Sequence, residues 1–160
     1  MIEEVIEKIC NQLSIDNFYT VGSEDEFNEV LDDVTEGPVI LLVDSYTTQE
    51  KINISGTFDF PIFPIEIFIL DSVYSVDNGE AVFNDPTGRD LARVRHNMRA
   101  LGRELVQRFI KEDLYKKTNA QELEFTFSNQ EEKFDSLLAG VLLSFEAPLF
   151  LEYDYCIPKC

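Results

Sequence analysis

Apolar residues recur at Ile2, Val5, Ile6, Ile9 and Leu13, with Glu3, Glu4, Glu7 and Lys8 between them. Spacings of three and four put them on one side of a helix, so residues 2 to 13 are predicted to form an amphipathic helix. Ser23 and Glu26 have the spacing of a capping box, and Phe27, Val30, Leu31 and Val34 supply an apolar face. A second short helix is predicted there, ended by Gly37-Pro38. The pattern then changes. Val39 to Val43 is a continuous apolar run of strand length. Ile52, Ile54 and Phe58 alternate with polar residues, and Pro61 to Leu70 places Ile65, Ile67 and Ile69 on one face. Three strands are predicted, the last with an edge or bend at its two prolines. Glu66 falls opposite the isoleucine row, beside Phe68, and reads as a solvated residue near a strand end.

Ser72 to Asp85 reads as a loop, with a tight turn at Asn78-Gly79 and turn chemistry at Asp85-Pro86-Thr87-Gly88. The longest helix is predicted from Asp90 to Asp113, where Leu91, Val94, Met98, Leu101, Leu105 and Phe109 make one stripe. Leu123, Phe125 and Phe127 alternate as in a strand, Ser128 to Lys133 reads as a loop, Val141 to Phe145 as a strand, and Leu149 to Tyr155 as one more. Helices followed by grouped strands predict an α+β fold. Its sheet is mixed or antiparallel, with the N-terminal helices and the long amphipathic helix packed on one face. No internal repeat or low-complexity linker divides the chain, so residues 1 to 160 are expected to form a single domain with a flexible tail at 157 to 160.

Composition narrows the class. The chain has 160 residues with 44% hydrophobic and 28% charged, as in a folded globular protein rather than a disordered one. The net charge of −18 opposes binding to DNA or an anionic membrane through bulk charge. The first residues are acidic rather than basic, and the longest apolar stretch is broken by Pro64 and Glu66. Neither a secretory leader nor a membrane helix is expected. The three cysteines, Cys10, Cys156 and Cys160, do not form a disulfide framework, and synthesis in a reducing cytoplasm is expected. Cys10 reads as a buried thiol. Zinc is not expected, since there is no CxxC and one histidine.

The charge is unevenly spread. All six arginines, Arg89, Arg93, Arg95, Arg99, Arg103 and Arg108, lie in one stretch, extended by Lys111, Lys116 and Lys117. From Gly88 to Lys117 nine basic residues stand against four acids, a net of +5, while the remaining chain carries −23. On a helical wheel Arg89, Arg93, Arg103 and Lys111 lie opposite the apolar stripe, and Arg95 and Arg99 flank it. Four uses of such a face are open: pairing with the protein's own acids, meeting an acidic face of a neighbouring subunit, touching nucleic acid, or holding an anionic ligand.

No enzyme is expected. His96 sits mid-helix among like charges with no GxSxG nucleophile elbow, and neither a P-loop nor a GxGxxG is present. Asp32-Asp33 and Asp71 with Asp77 lack EF-hand spacing. Glu131-Glu132-Lys133 contains an ExK, but in a polar loop signal rather than a strand. No cofactor is expected. An acidic mimic of DNA that inhibits a basic host enzyme is an alternative, although a six-arginine helix suits such a surface poorly. A cytosolic adaptor is a third reading.

The element order and several phrases carry a resemblance. These are the strand Pro38 to Asp44 after the N-terminal helices, the strand ending Ile67-Phe68-Ile69-Leu70-Asp71, the helix through Leu91, Val94, Met98 and Leu101, and the phrase Ala139-Gly140-Val141-Leu142-Leu143-Ser144-Phe145. Together they resemble the head-to-tail joining proteins of tailed bacteriophages: tail terminators, tail-completion proteins and neck ring proteins. The last phrase, with Tyr153 to Cys156, is similar to proteins of crAss-like phages. The resemblance implies a structural virion subunit in the neck or at the top of the tail, made in the bacterial host cytoplasm. It would form a homo-oligomeric ring, six- or twelve-fold, against the portal, connector or tail proteins, and genome DNA would pass without specific binding. The stretches Ser45 to Lys51 and Ser72 to Gly88 are then the expected arms. Interface candidates are Arg89, Arg93, Arg95, Arg99 and Arg103, with Tyr46, Tyr74 and Phe83 as aromatic anchors.

Overall fold

Isoleucines at alternate positions need a covered sheet face, and the computed structural model supplies one. It describes residues 2–22, 26, 29, 37–44, 47–72, 75–77, 80–82, 91–130 and 138–150. Helix α1 (Ile2–Gln12) is followed by strands β1 (Asn17–Val21), β2 (Val39–Val43) and β3 (Ile62–Ser72), then by a short ribbon, β4 (Ser75–Asp77) and β5 (Glu80–Val82). Helix α2 (Leu91–Phe109), a four-residue helix α3 (Asp113–Lys116), and strands β6 (Phe125–Gln130) and β7 (Leu138–Pro148) complete the order. Five strands form one mixed sheet, β1-β2-β3-β7-β6. β1 and β2 run parallel, and every other neighbouring pair is antiparallel. This is the α+β architecture that the grouped strand signals predict.

The centre is the β3–β7 ladder, with eleven residue pairs from Ile62–Pro148 to Ser72–Leu138. Alternation puts Ile65, Ile67 and Ile69 beside Phe145, Leu143 and Val141, all on one face and all buried. Helices α1 and α2 cover that face. α1 contributes Ile2, Ile6, Ile9 and Cys10, and α2 contributes Val94, Met98, Leu105, Val106 and Phe109. Phe109 is fully buried, with ring centroids 5.3 Å from Phe145 and 6.1 Å from Tyr115. The opposite face is divided. Val21, Val39, Leu41, Leu70 and Leu138 form a smaller apolar cluster, whereas Glu66 and Glu146 are exposed towards the β6 side.

Some expectations shift. β1 lacked a clear hydrophobic period; its half-buried pattern comes from pairing beside β2. The long helix ends at Phe109 rather than Asp113, and a turn leads into α3. β6 begins at Phe125, after Leu123, and runs through the predicted loop to Gln130, because its register with β7 continues to Gly140. Glu66 is mid-strand, not near an end. Ile52 to Phe58 is not a strand of the sheet. The predicted loop after Ser72 contains the β4–β5 ribbon, paired antiparallel on either side of Asn78-Gly79. Leu149 and Phe150 follow β7 outside the sheet, and 151–155 lie outside the described residues. Of the second predicted helix, Glu26 and Glu29 are described, both helical. The Glu26 carboxylate accepts a hydrogen bond from the Gly22 amide at 2.7 Å, one residue before the predicted capping residue Ser23, which lies outside the described residues.

Two backbone positions are unusually constrained. α1 ends in a Schellman-type turn: the Ile15 amide donates to the Cys10 carbonyl at 2.9 Å, and Ser14 sits left-handed at φ 58°. A serine there carries a strain that glycine would not. In β7, Gly140 lies so close to β3 that a Cβ would overlap the Ile69 carbonyl oxygen. Ser14→Gly should therefore stabilise the protein by about 0.5–1 kcal/mol, and Gly140→Ala should destabilise it by more than about 2 kcal/mol. Urea titrations of both variants check the two signs.

Candidate functional site

The stretch 49–62 leaves the sheet and returns to it as a projecting hairpin. Its root is a pair of hydrogen bonds between Gln49 and Ile62, and further out Ile52 faces Phe58 across the hairpin. The turn stabilises itself. The Asn53 amide donates to the Thr57 carbonyl, and the Gly56 amide donates to the Asn53 carbonyl, each at 3.0 Å. The Asn53 side-chain oxygen accepts from the Thr57 amide at 2.9 Å and from the Ser55 hydroxyl at 2.6 Å. Gly56, at φ 83°, provides the left-handed residue that a three-residue hairpin loop requires.

This well-bonded backbone displays apolar side chains to water. Ile54, at the tip, is fully exposed, while Ile52 is 58% and Phe58 72% exposed. Phe60, nearer the root, is 40% exposed, with its ring edge-on to Phe150 at 6.1 Å. Exposed apolar side chains are thus grouped on one projection of the molecule.

A groove of about 560 Å³ lies between the C-terminal half of α2, the segment after α3, and the start of β6. Val106, Ile110, Leu123 and Phe125 give it an apolar lining, with Arg103 and Lys116 at its rim. Ile110 and Phe125 are 39% and 36% exposed. The Tyr115 hydroxyl donates to the Glu122 carbonyl at 3.0 Å. Burial, and then the Glu122 charge, raise the Tyr115 pKa and keep it a neutral donor.

A second groove, of about 570 Å³, opens near the β6 edge. Glu66, Glu122, Glu124 and Glu146 line it, and no lysine or arginine does. With Glu66 and Glu146 on the sheet face turned away from the helices, the molecule has a basic helical side and an acidic patch across the sheet.

The cationic helix is partly engaged within the molecule. Arg93 and Arg103 are exposed, while Arg95 and Arg99 are half-buried. Arg108 pairs with Glu104 at 3.1 Å and donates to Gln12, and Lys8 reaches Glu112 at 2.9 Å. Exposed pairs of this kind are worth little, typically under about 1 kcal/mol. Arg99 donates to the Asn129 side chain at 2.6 Å, and Arg103 lies 5.7 Å from the Phe127 ring centre. Both of these partners are neutral side chains.

Arg89, Tyr46, Tyr74 and Phe83, the other interface candidates, lie outside the described residues, as do Asp32-Asp33 and Glu131-Glu132-Lys133. The structure thus places Arg103 at an apolar groove and shows a projecting apolar hairpin at 49–62, a segment that only partly overlaps the expected arm Ser45 to Lys51. That location was legible only in hindsight. Ser55-Gly56 interrupts the alternation of Ile52, Ile54, Phe58 and Phe60, and a turn between two alternating runs signals a hairpin.

His96 is exposed. Among the described residues no group of three His, Cys, Asp or Glu could hold a metal ion. No helix among them is long and apolar enough to cross a membrane. Comparison with known families finds no family model that matches the chain, and no curated protein matches it.

Cys10 is buried, and burial, then the nearby Glu7 charge, push its thiol up to about 11. The raised value means that native packing favours the protonated form. This stabilisation is complete below the unfolded thiol's value near 9 and is lost as pH rises through 11. Cys10→Ala should destabilise the protein at pH 7 by about 1 kcal/mol through lost packing. At pH 10 the gap between wild type and variant should narrow by about 1 kcal/mol. Paired urea titrations at the two pH values check this.

Proposed function

We propose that this protein is a structural subunit that assembles head to tail with copies of itself, as the ring proteins of a phage neck or tail do. The observation that carries the reading is the hairpin 49–62, ordered by its own turn and apolar where it meets water. A free monomer gains nothing from exposing Ile52, Ile54 and Phe58, whereas a neighbour that covers them gains their burial. The charge layout supports the same reading. A basic helical side and an acidic groove on one chain suit a heterologous contact, in which each copy offers different surfaces to its two neighbours. Such contacts close into rings or extend into filaments. In a ring, acidic residues such as Glu66 and Glu146 facing a channel would keep DNA from adhering, since adhesion scales with the number of phosphate contacts. The sequence resemblance points to the same assignment, with portal, connector or tail proteins as further partners and the virion as the place of work.

One observation favours the alternative, an acidic mimic of DNA: the four glutamates around the second groove. Oligomeric state separates the two. Light scattering of the full chain should give a discrete oligomer of six or twelve copies that loosens as salt rises. Ile52→Asp with Phe58→Asp should reduce it to a monomer of 18.4 kDa with unchanged circular dichroism. A wild-type monomer at every salt and protein concentration would overturn the ring and favour the mimic.

A further inference from the structure

We infer that the apolar hairpin of one copy seats in the groove between α2 and β6 of the next. This inference rests on the assembly reading above and specifies its interface. The hairpin cannot use its own groove: none of its residues lines that groove, and Ile54 at its tip is fully exposed. The two features flank the short helix α3. On one side Phe150, edge-on to Phe60 of the hairpin root, donates its amide to the Leu114 carbonyl at 2.7 Å and has the Lys117 ammonium 5.0 Å from its ring centre. On the other side Tyr115 and Lys116 face the groove. Hairpin root and groove therefore lie against different residues of the α3 region, and no hairpin residue enters the groove of its own molecule.

Chemistry matches at the two surfaces. The hairpin offers Ile52, Ile54 and Phe58, and the groove offers half-exposed Ile110 and Phe125 over Val106 and Leu123. Charge matches as well. Glu50 and Asp59 against Lys51 leave the hairpin at −1, whereas Arg103 and Lys116 against Glu122 leave the groove at +1. The area is sufficient for a main anchor. With a large side chain presenting roughly 150–250 Å², the hairpin's exposed apolar groups offer about 500 Å² of the roughly 800 Å² per partner in a stable interface. The remainder falls to surfaces around it, the α2 arginines among them. A second copy also explains why, among the described residues, nothing covers the hairpin or fills the groove, because one contact buries the two together.

The test is disulfide trapping between different copies of the full chain. In a background carrying Cys10→Ala, Cys156→Ser and Cys160→Ser, one protein receives Ile54→Cys at the hairpin tip and another Gln107→Cys on the exposed groove rim. Both positions are on the surface, so folding should be retained, which circular dichroism checks. On mixing under mild oxidation, the tip-to-rim dimer should form at least tenfold faster than either like-with-like dimer. Adding Ile110→Asp to the rim protein should remove that preference. If light scattering shows the oligomer but tip-to-rim trapping is no faster than like-with-like, the seat is wrong while the assembly reading stands. If neither oligomer nor preferential trapping occurs, both fall.

Discussion

The antiparallel ladder between β3 and β7 is the interaction on which the rest of this structure depends. Eleven consecutive pairs hold Ile65, Ile67 and Ile69 in line with Phe145, Leu143 and Val141. A one-residue slip would turn every one of these side chains to the other face, so burial of that face sets the register. Gly140 lets the two backbones approach where any Cβ would strike the Ile69 carbonyl. β2 extends the ladder on one side and β6 on the other. α2 then has a flat apolar surface to lie on, and Gly102 brings it close enough to touch Phe127 and Ile69.

This arrangement decides which surfaces are left over. Both helices cover one face, so their outward sides carry the arginines and the α1 glutamates. The other face buries a small cluster around Val39, Leu41 and Leu70 but leaves Glu66 and Glu146 in water. The helical side thus carries both signs, basic along α2 and acidic along α1, while the exposed part of the other face carries Glu66 and Glu146. Charged side chains are excluded from the buried layer and collect on whichever surface their element turns outward.

The hairpin stands apart from this core. Core elements here are held by packing, whereas the hairpin is held by its turn: Asn53 takes part in four hydrogen bonds and Gly56 takes the left-handed position. A segment rigid before it binds loses less conformational freedom when it docks, which favours association. Its root is fixed to the same end of the sheet as the groove through Pro61, Leu149 and Phe150.

Several features could be read from residues alone because they rest on local periodicity. The stripe Val94, Met98, Leu105 and Phe109 required a helix with one buried side. The alternating isoleucines required a strand, and the concentration of arginines required a basic helical face. The buried Cys10 thiol was legible as an uncharged residue on the predicted helix α1. Other features rested on which segments meet. β1 has no strong period of its own and is a strand because β2 lies beside it. Ile52, Ile54 and Phe58 have the alternation of a core strand, yet among the described residues Ile52 and Phe58 pair only with each other and not with the sheet. Periodicity reports that a segment has an apolar side; only the tertiary structure decides what covers it. In the sheet α1 and α2 cover it, and on the hairpin the chain's own core does not.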